Sequence, residues 1–222
     1  MKEKAKSVYI LDSSEKKSQY FKTFTANTLL RIKRLTLKKL VCHLINFIYK
    51  NATLLVIFKK LDQPPVIQIP YLPIECRLLN IKNTDQISSL NNLTVERITA
   101  FFTNGAKCLG AFYNEQLVGY LWCHYKDHEF PFFDYSVKVD NGVYIGPNFV
   151  ADKVRGNKIH RFLLTKMFEI LFKEGYRHVW SSVLSNNYSS IKGLVNTGFA
   201  FKKKIRVIRI FKKIVHKDCK LF

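Results

Sequence analysis

The chain has 222 residues, 47% of them hydrophobic, and 37 Lys and Arg against 16 Asp and Glu give a formal net charge of +21. That supports one domain with a good core plus an extension, and an acidic partner: nucleic acid, an anionic membrane surface or a phosphorylated substrate. The five cysteines (42, 76, 108, 123 and 219) have no CxxC spacing and no His pair nearby, which argues against a zinc site and for reduced thiols in a cytoplasmic protein. The Lys-rich start is followed by no apolar core segment, so no signal peptide is expected.

Residues 1–60 hold 14 Lys and Arg against 3 Asp and Glu, the most biased part of the chain. Within them Leu29, Leu30, Ile32, Leu37, Leu40, Leu44 and Ile48 recur at helical spacing beside Arg31, Lys33, Arg34, Lys38 and Lys39. The pattern over 26–50 is a basic amphipathic helix, which either lies on an anionic membrane, on the inner face of the cell membrane, or packs on a neighbouring surface. Apolar content continues to Phe58, but polar interruptions leave no run of about 18 apolar residues, so a spanning helix is not expected. Gln63, Pro64, Pro65, Pro70 and Pro73 make 61–73 an extended linker.

From Ile74 the pattern is that of an α/β domain reaching residue 222. Strands are predicted over 74–81, 107–113, 117–126 and 177–184, and helices over 85–90, 95–102, 159–173 and 189–196. Residues 124–134 read as a loop rich in His, Asp and aromatic side chains. An antiparallel pair, near 199–207 and 208–215, closes the chain.

One stretch carries chemistry. Val143 to Val150 is apolar and β-prone with Gly146 and Pro147 at its centre, and helical periodicity begins at Ile159. Between them lies a short polar turn with one glycine and three cations. A helix N-terminus leaves amides unpaired and favours an anion, and a glycine lets several amides converge. Strand, tight turn and helix thus form a phosphate cradle to which Arg155 and Lys158 add charge; the alternative is an ordinary β–α connection.

Two motifs define a resemblance. The loop reads RGNKIH from Arg155 to His160, with Val150 before it. Downstream, Asn187, Ser190 and Ile191 are followed, seven positions on, by Gly198 and Phe199. With a helix and a strand between them, these motifs resemble the GNAT superfamily of acyl-CoA-dependent N-acyltransferases over roughly 74–211. The resemblance implies an α+β fold: a mixed, mostly antiparallel central sheet with flanking helices, here with a basic helical N-terminal extension. It also implies acetyl-CoA as co-substrate, with no metal. The cofactor would be held by Asn148, Phe149 and Val150 on a strand splayed from its neighbour, by the loop residues Arg155, Gly156, Asn157, Lys158, Ile159 and His160, and by Asn187 and Ser190. The family's fourth and sixth loop positions are small, whereas here they are Lys158 and His160. Its common Tyr four residues before Gly-Phe is Leu194 here.

An attacking amine needs a proton acceptor. The strand before the loop holds no carboxylate, so the candidates are His124, Asp127, His128 and Asp134, with Tyr144 as a relay. His124 leads, because it ends a strand and titrates near neutrality. The acceptor is a primary amine, either phosphate-bearing, such as a nucleotide-linked amino sugar for surface polysaccharide, or a protein or peptide amine. Two other classes stay open. One is a basic nucleic-acid-binding module using Lys202, Lys203, Lys204, Arg206 and Arg209, less favoured than solvated strand faces. The other is a catalytically silent domain of the same fold.

Overall fold

The computed structural model describes residues 48–222 apart from 92 and 212. The strands are β1 (Tyr49–Lys60), β2 (Glu75–Leu79), β3 (Lys107–Tyr113), β4 (Gln116–His124), β5 (His128–Phe130), β6 (Tyr135–Val137), β7 (Val143–Val150), β8 (His178–Leu184), β9 (Ala200–Ile210) and β10 (Lys213–Leu221). The helices are α1 (Thr84–Leu90), α2 (Val95–Thr103), α3 (Ile159–Lys173) and α4 (Tyr188–Val195). Eight strands form one sheet in the order β10-β9-β1-β8-β7-β4-β3-β2, and β5 and β6 pair separately. Of the pairs β1–β8, β9–β10, β2–β3, β3–β4, β4–β7 and β7–β8, only the last is parallel. This is the mixed, mostly antiparallel α+β arrangement with flanking helices that the resemblance implied.

The expected amphipathic helix lies outside the described residues except for its last three, and Tyr49 and Lys50 already belong to β1. Residues 49–60, expected in the extension, instead form a strand inside the sheet, so the boundary anticipated after residue 60 falls earlier. The reason is legible in the burial. Leu55 and Ile57 point into the core beneath α3, and Leu54 and Val56 into a second cluster with Phe133, Val137, Ile205 and Val207. A strand covered on both faces reads as an unbroken apolar run rather than an alternation. Truncating Ile57, which is 1% exposed, is therefore expected to cost about 2–5 kcal/mol. Denaturant unfolding of Ile57→Ala measures this, and a loss under 1 kcal/mol would mean β1 is dispensable to the sheet.

α3 supplies Phe162, Leu163, Leu164, Met167, Phe168 and Leu171 to the main core. α1 and α2 cover the other side of β3 and β4 through Ile87 and Ile98, against Trp122 and Cys108. The 124–134 stretch, expected as loop, holds β5, which pairs with β6. The terminal hairpin is as anticipated, but its turn sits at Phe211, at φ 52°, rather than near 207. Among the described residues no helix is long and apolar enough to cross a membrane.

Candidate active site

β7 and β8 run side by side only through Val143–Val179, Tyr144–Trp180 and Ile145–Ser181. Beyond that point β7 keeps β4 as its partner, through Asn148, Phe149 and Val150, while β8 keeps β1. The sheet therefore opens between β7 and β8 where Gly146 and Pro147 follow Ile145. Ser181 closes the apex, its hydroxyl donating to the Ile145 carbonyl at 2.8 Å. Asn148, Phe149 and Val150 are half-buried along the open side.

The chain then enters the loop before α3. Gly156 has φ +85°, and a Cβ placed on it would meet nothing within 4 Å, so the space above it is open. Lys158 is the N-cap at φ 60° and makes no side-chain cap bond. The first helical bond runs from the Phe162 amide to Lys158 O at 3.0 Å, which leaves the amides of Ile159, His160 and Arg161 without helical partners. A cavity of about 390 Å³ lies over this corner, lined among others by Gly156, Lys158, Arg161, Ser189 and Lys192. Cations, open amides and a glycine whose missing Cβ leaves room fit an extended diphosphate.

The predicted cofactor residues divide. Gly156, Lys158, Ile159, His160, Arg155 and Val150 line the cavity. Arg155 is partly engaged, donating to Val150 O at 3.1 Å and pairing with Asp152 at 2.8 Å. Asn157 turns inward, its amide donating to Val154 O at 3.0 Å, so its side chain staples the loop. The Lys158 ammonium lies 4.1 Å from the Tyr71 ring centroid, and the Tyr71 amide donates to Asn157 O. Asn187 caps α4 by accepting from the Ser190 amide at 3.2 Å. Neither Asn187 nor Ser190 lines the cavity; their neighbours Ser189 and Lys192 do. Arg161, Lys192 and Tyr71 were not anticipated, because nothing local marks an exposed cation, or a ring in a Pro-rich stretch, as facing a distant loop.

Of the proton-handling candidates, the structure brings His124, His128 and Tyr144 together. His124 and Tyr144 face each other across β4 and β7, their rings 6.2 Å apart, and His128 stacks on Tyr144 at 4.1 Å and 5°. The Tyr144 hydroxyl and Ser182 hydroxyl are 2.8 Å apart. Burial pushes the Tyr144 phenol up, against the Ser182 hydrogen bond. Burial pulls His124 down to about 4; a hydrogen bond to the Gly146 backbone opposes this, and Arg97 adds to it. His128 is likewise pulled to about 4, first by burial, then by His124 and Arg97. Both imidazoles are therefore neutral at pH 7, and His124 does not titrate near neutrality as its residue type led one to expect, because burial disfavours its cation.

Asp127 is not brought to this cluster. One of its oxygens takes the Lys138 ammonium at 2.6 Å and the other the Val139 amide at 3.1 Å, and the Lys138 bond holds the carboxyl below its usual range. Asp134 pairs with Lys217 at 3.0 Å. Leu194, at the place of the family's Tyr, is 2% exposed and belongs to the core under α3. Among the described residues no group of three His, Cys, Asp or Glu is arranged to hold a metal.

The acetyltransferase (GNAT) family model matches residues 77–199, more than half of the chain. The chain belongs to that family, whose members use acetyl-CoA as co-substrate. No curated protein matches. Among solved structures, a GCN5-related N-acetyltransferase from Sphaerobacter thermophilus is 18% identical with a TM-score of 0.55, covering 82% of this chain and 56% of its own. This chain thus spans little more than half the length of that protein. GNAT-family acetyltransferases from Novosphingobium aromaticivorans (13% identical, TM-score 0.53, 72% of this chain and 64% of that one) and Colwellia psychrerythraea (15%, 0.53, 73% and 56%) are also similar. At these identities the likeness establishes the fold.

Proposed function

We propose that this protein transfers the acetyl group of acetyl-CoA to a primary amine, and that the acceptor is anionic, as a nucleotide-linked amino sugar for surface polysaccharide would be. The observation that carries the reaction is the opening of β7 from β8 beside uncapped amides at the start of α3. Those amides, with Lys158, Arg161 and Lys192, hold the diphosphate, and the half-buried Asn148–Val150 edge lies along the pantetheine arm. Bound acetyl-CoA supplies an acyl thioester.

The chain's own part in the chemistry is to move a proton. His124 Nε2 is buried and has no hydrogen-bond partner. An unpartnered nitrogen on a neutral imidazole is what a general base needs. His128, stacked on Tyr144, encloses the same space, and Ser182 fixes the Tyr144 hydroxyl. Much of the rate then comes from holding the amine in place.

The anionic acceptor is supported by Arg97. Its guanidinium lies 5.5 Å from the centroid of the Phe101 ring, which meets His124 edge-on at 4.7 Å. Among the described residues no carboxylate forms an ion pair with Arg97, which leaves a cation one ring away from the base. A basic stretch over 26–50 supports the same reading, in which the protein works in the cytoplasm at the inner face of the cell membrane.

A thermal-shift assay with acetyl-CoA, CoA and dephospho-CoA, followed by thiol release against a panel of amines, tests the proposal. Arg97→Ala is expected to raise KM about tenfold for a phosphorylated amine, and less than twofold for a neutral sugar amine or an N-terminal peptide amine. Equal effects on all acceptors would remove the anionic acceptor, and turnover of peptides alone would replace it. No shift with any coenzyme would sink the reaction itself.

A further inference from the structure

α4 is eight residues long, and Gly193 sits in its interior, where glycine is a poor helix former compared with alanine. Its φ does not fall in the left-handed region, so the backbone gives no reason for a glycine there. Space does. A Cβ on Gly193 would lie 2.9 Å from His160 Nδ1 and 3.4 Å from His160 Cε1. His160 is the second residue of α3, and its short side chain leaves the ring little freedom to swing away. The ring's Nε2 is enclosed without a hydrogen-bond partner. No bond at that nitrogen anchors the imidazole, so the surface it rests on is what places it. Burial, with Arg161 beside it, pulls its pKa to about 4, which keeps it neutral and suited to packing.

The contact lies at the wall of the cavity described above. Ser189 and Lys192 line that cavity from α4, and Lys158 and Arg161 from the α3 side. Resting on the acetyl-CoA reading given above, we infer that His160 and Gly193 are a matched large-and-small pair that sets the gap between α3 and α4, and thereby holds Lys192 and Ser189 beside the coenzyme's diphosphate. The bulky residue at a loop position that is small in the family is thus accommodated by removing a side chain from the facing helix. His160 is a positioning residue, acting through α4.

The test compares Gly193→Ala, His160→Ala and the double variant by unliganded thermal melts, CoA titration calorimetry and steady-state kinetics. Without the contact, alanine at 193 would raise the melting midpoint, because it is the better helix former. With it, Gly193→Ala is expected to melt about 5 °C lower. The same variant should bind CoA about tenfold more weakly and raise the KM for acetyl-CoA by the same factor, with kcat within about twofold. His160→Ala should lower the midpoint by leaving a void. In the double variant the added methyl occupies space the ring has vacated, so the midpoint should rise above that of Gly193→Ala and CoA affinity should return to within about threefold of the parent's. A Gly193→Ala protein that melts at or above the parent with unchanged CoA affinity overturns the inference, as does a double variant no better than Gly193→Ala. A parent protein that binds no CoA overturns the function proposed above. Recovery of the unliganded midpoint in the double variant would then still uphold the pairing.

Discussion

Gly156→Asp is expected to weaken acetyl-CoA binding by about 100-fold, or about 2.8 kcal/mol. The position combines two properties: a backbone at φ +85° and open space where a Cβ would go. An aspartate there projects a carboxylate into the cavity over the α3 amides, where the diphosphate is to sit, and like charges in a partly enclosed site repel strongly. At a ligand concentration of 100 times the parent Kd, binding adds about 2.7 kcal/mol of apparent stability; a hundredfold weaker Kd leaves about 0.4. Most of the coenzyme-induced rise in melting midpoint should therefore vanish. Gly156→Ala separates charge from backbone strain: it bears the strain of a positive φ, about 1–2 kcal/mol, but should keep the ligand shift. If Gly156→Asp retains the full shift, the loop is not where the coenzyme binds.

The second large effect concerns His124. His124→Gln preserves the size of the buried side chain and removes the basic nitrogen, and kcat is expected to fall by about 100- to 1,000-fold. The pH profile is the more discriminating readout. His124 accepts a proton only when neutral, and its pKa is held down to about 4, chiefly by burial. Lowering the pH through that value protonates it and removes activity. The parent enzyme should therefore hold its kcat at saturating acceptor from about pH 8 down to about pH 5, with no step near the ordinary imidazole value of about 6.5. A step at 6.5 that disappears in His124→Gln would show a solvated histidine. A profile and rate unchanged by the substitution would pass the role to another group.

Much of the corner before α3 was legible because it is local. A strand, a glycine turn and a helix with its apolar stripe from Ile159 lie within 26 residues of one another, and helix 159–173 formed over the predicted span. What escaped depends on distant partners. Leu54 to Ile57 was placed only in the N-terminal extension, since a short apolar run reads the same in helix or strand and its neighbours, β8 and β9, lie far downstream. The β5–β6 hairpin hid in an aromatic loop because its turn carries no Asn-Gly pair. The C-terminal turn was misplaced for the same reason: Phe211 adopts a positive φ that sequence rules assign to Gly or Asn. Asp127 and His128 are adjacent in the chain and were equal candidates. Lys138 and the Val139 amide claimed one, and the Tyr144 ring the other.

β1 has a consequence for how the protein is made. Leu54 ends up facing Leu184, so a water-averse segment waits for a partner made about 130 residues later. At about 5–20 residues per second that interval is on the order of ten seconds. Throughout it Leu54, Leu55, Val56 and Ile57 form a sticky stretch that chaperones or other nascent chains can seize, and sheet closure around β1 must await synthesis of β8. Yield in cells should accordingly respond to elongation speed and chaperone supply more than the melting temperature of the finished protein would foretell.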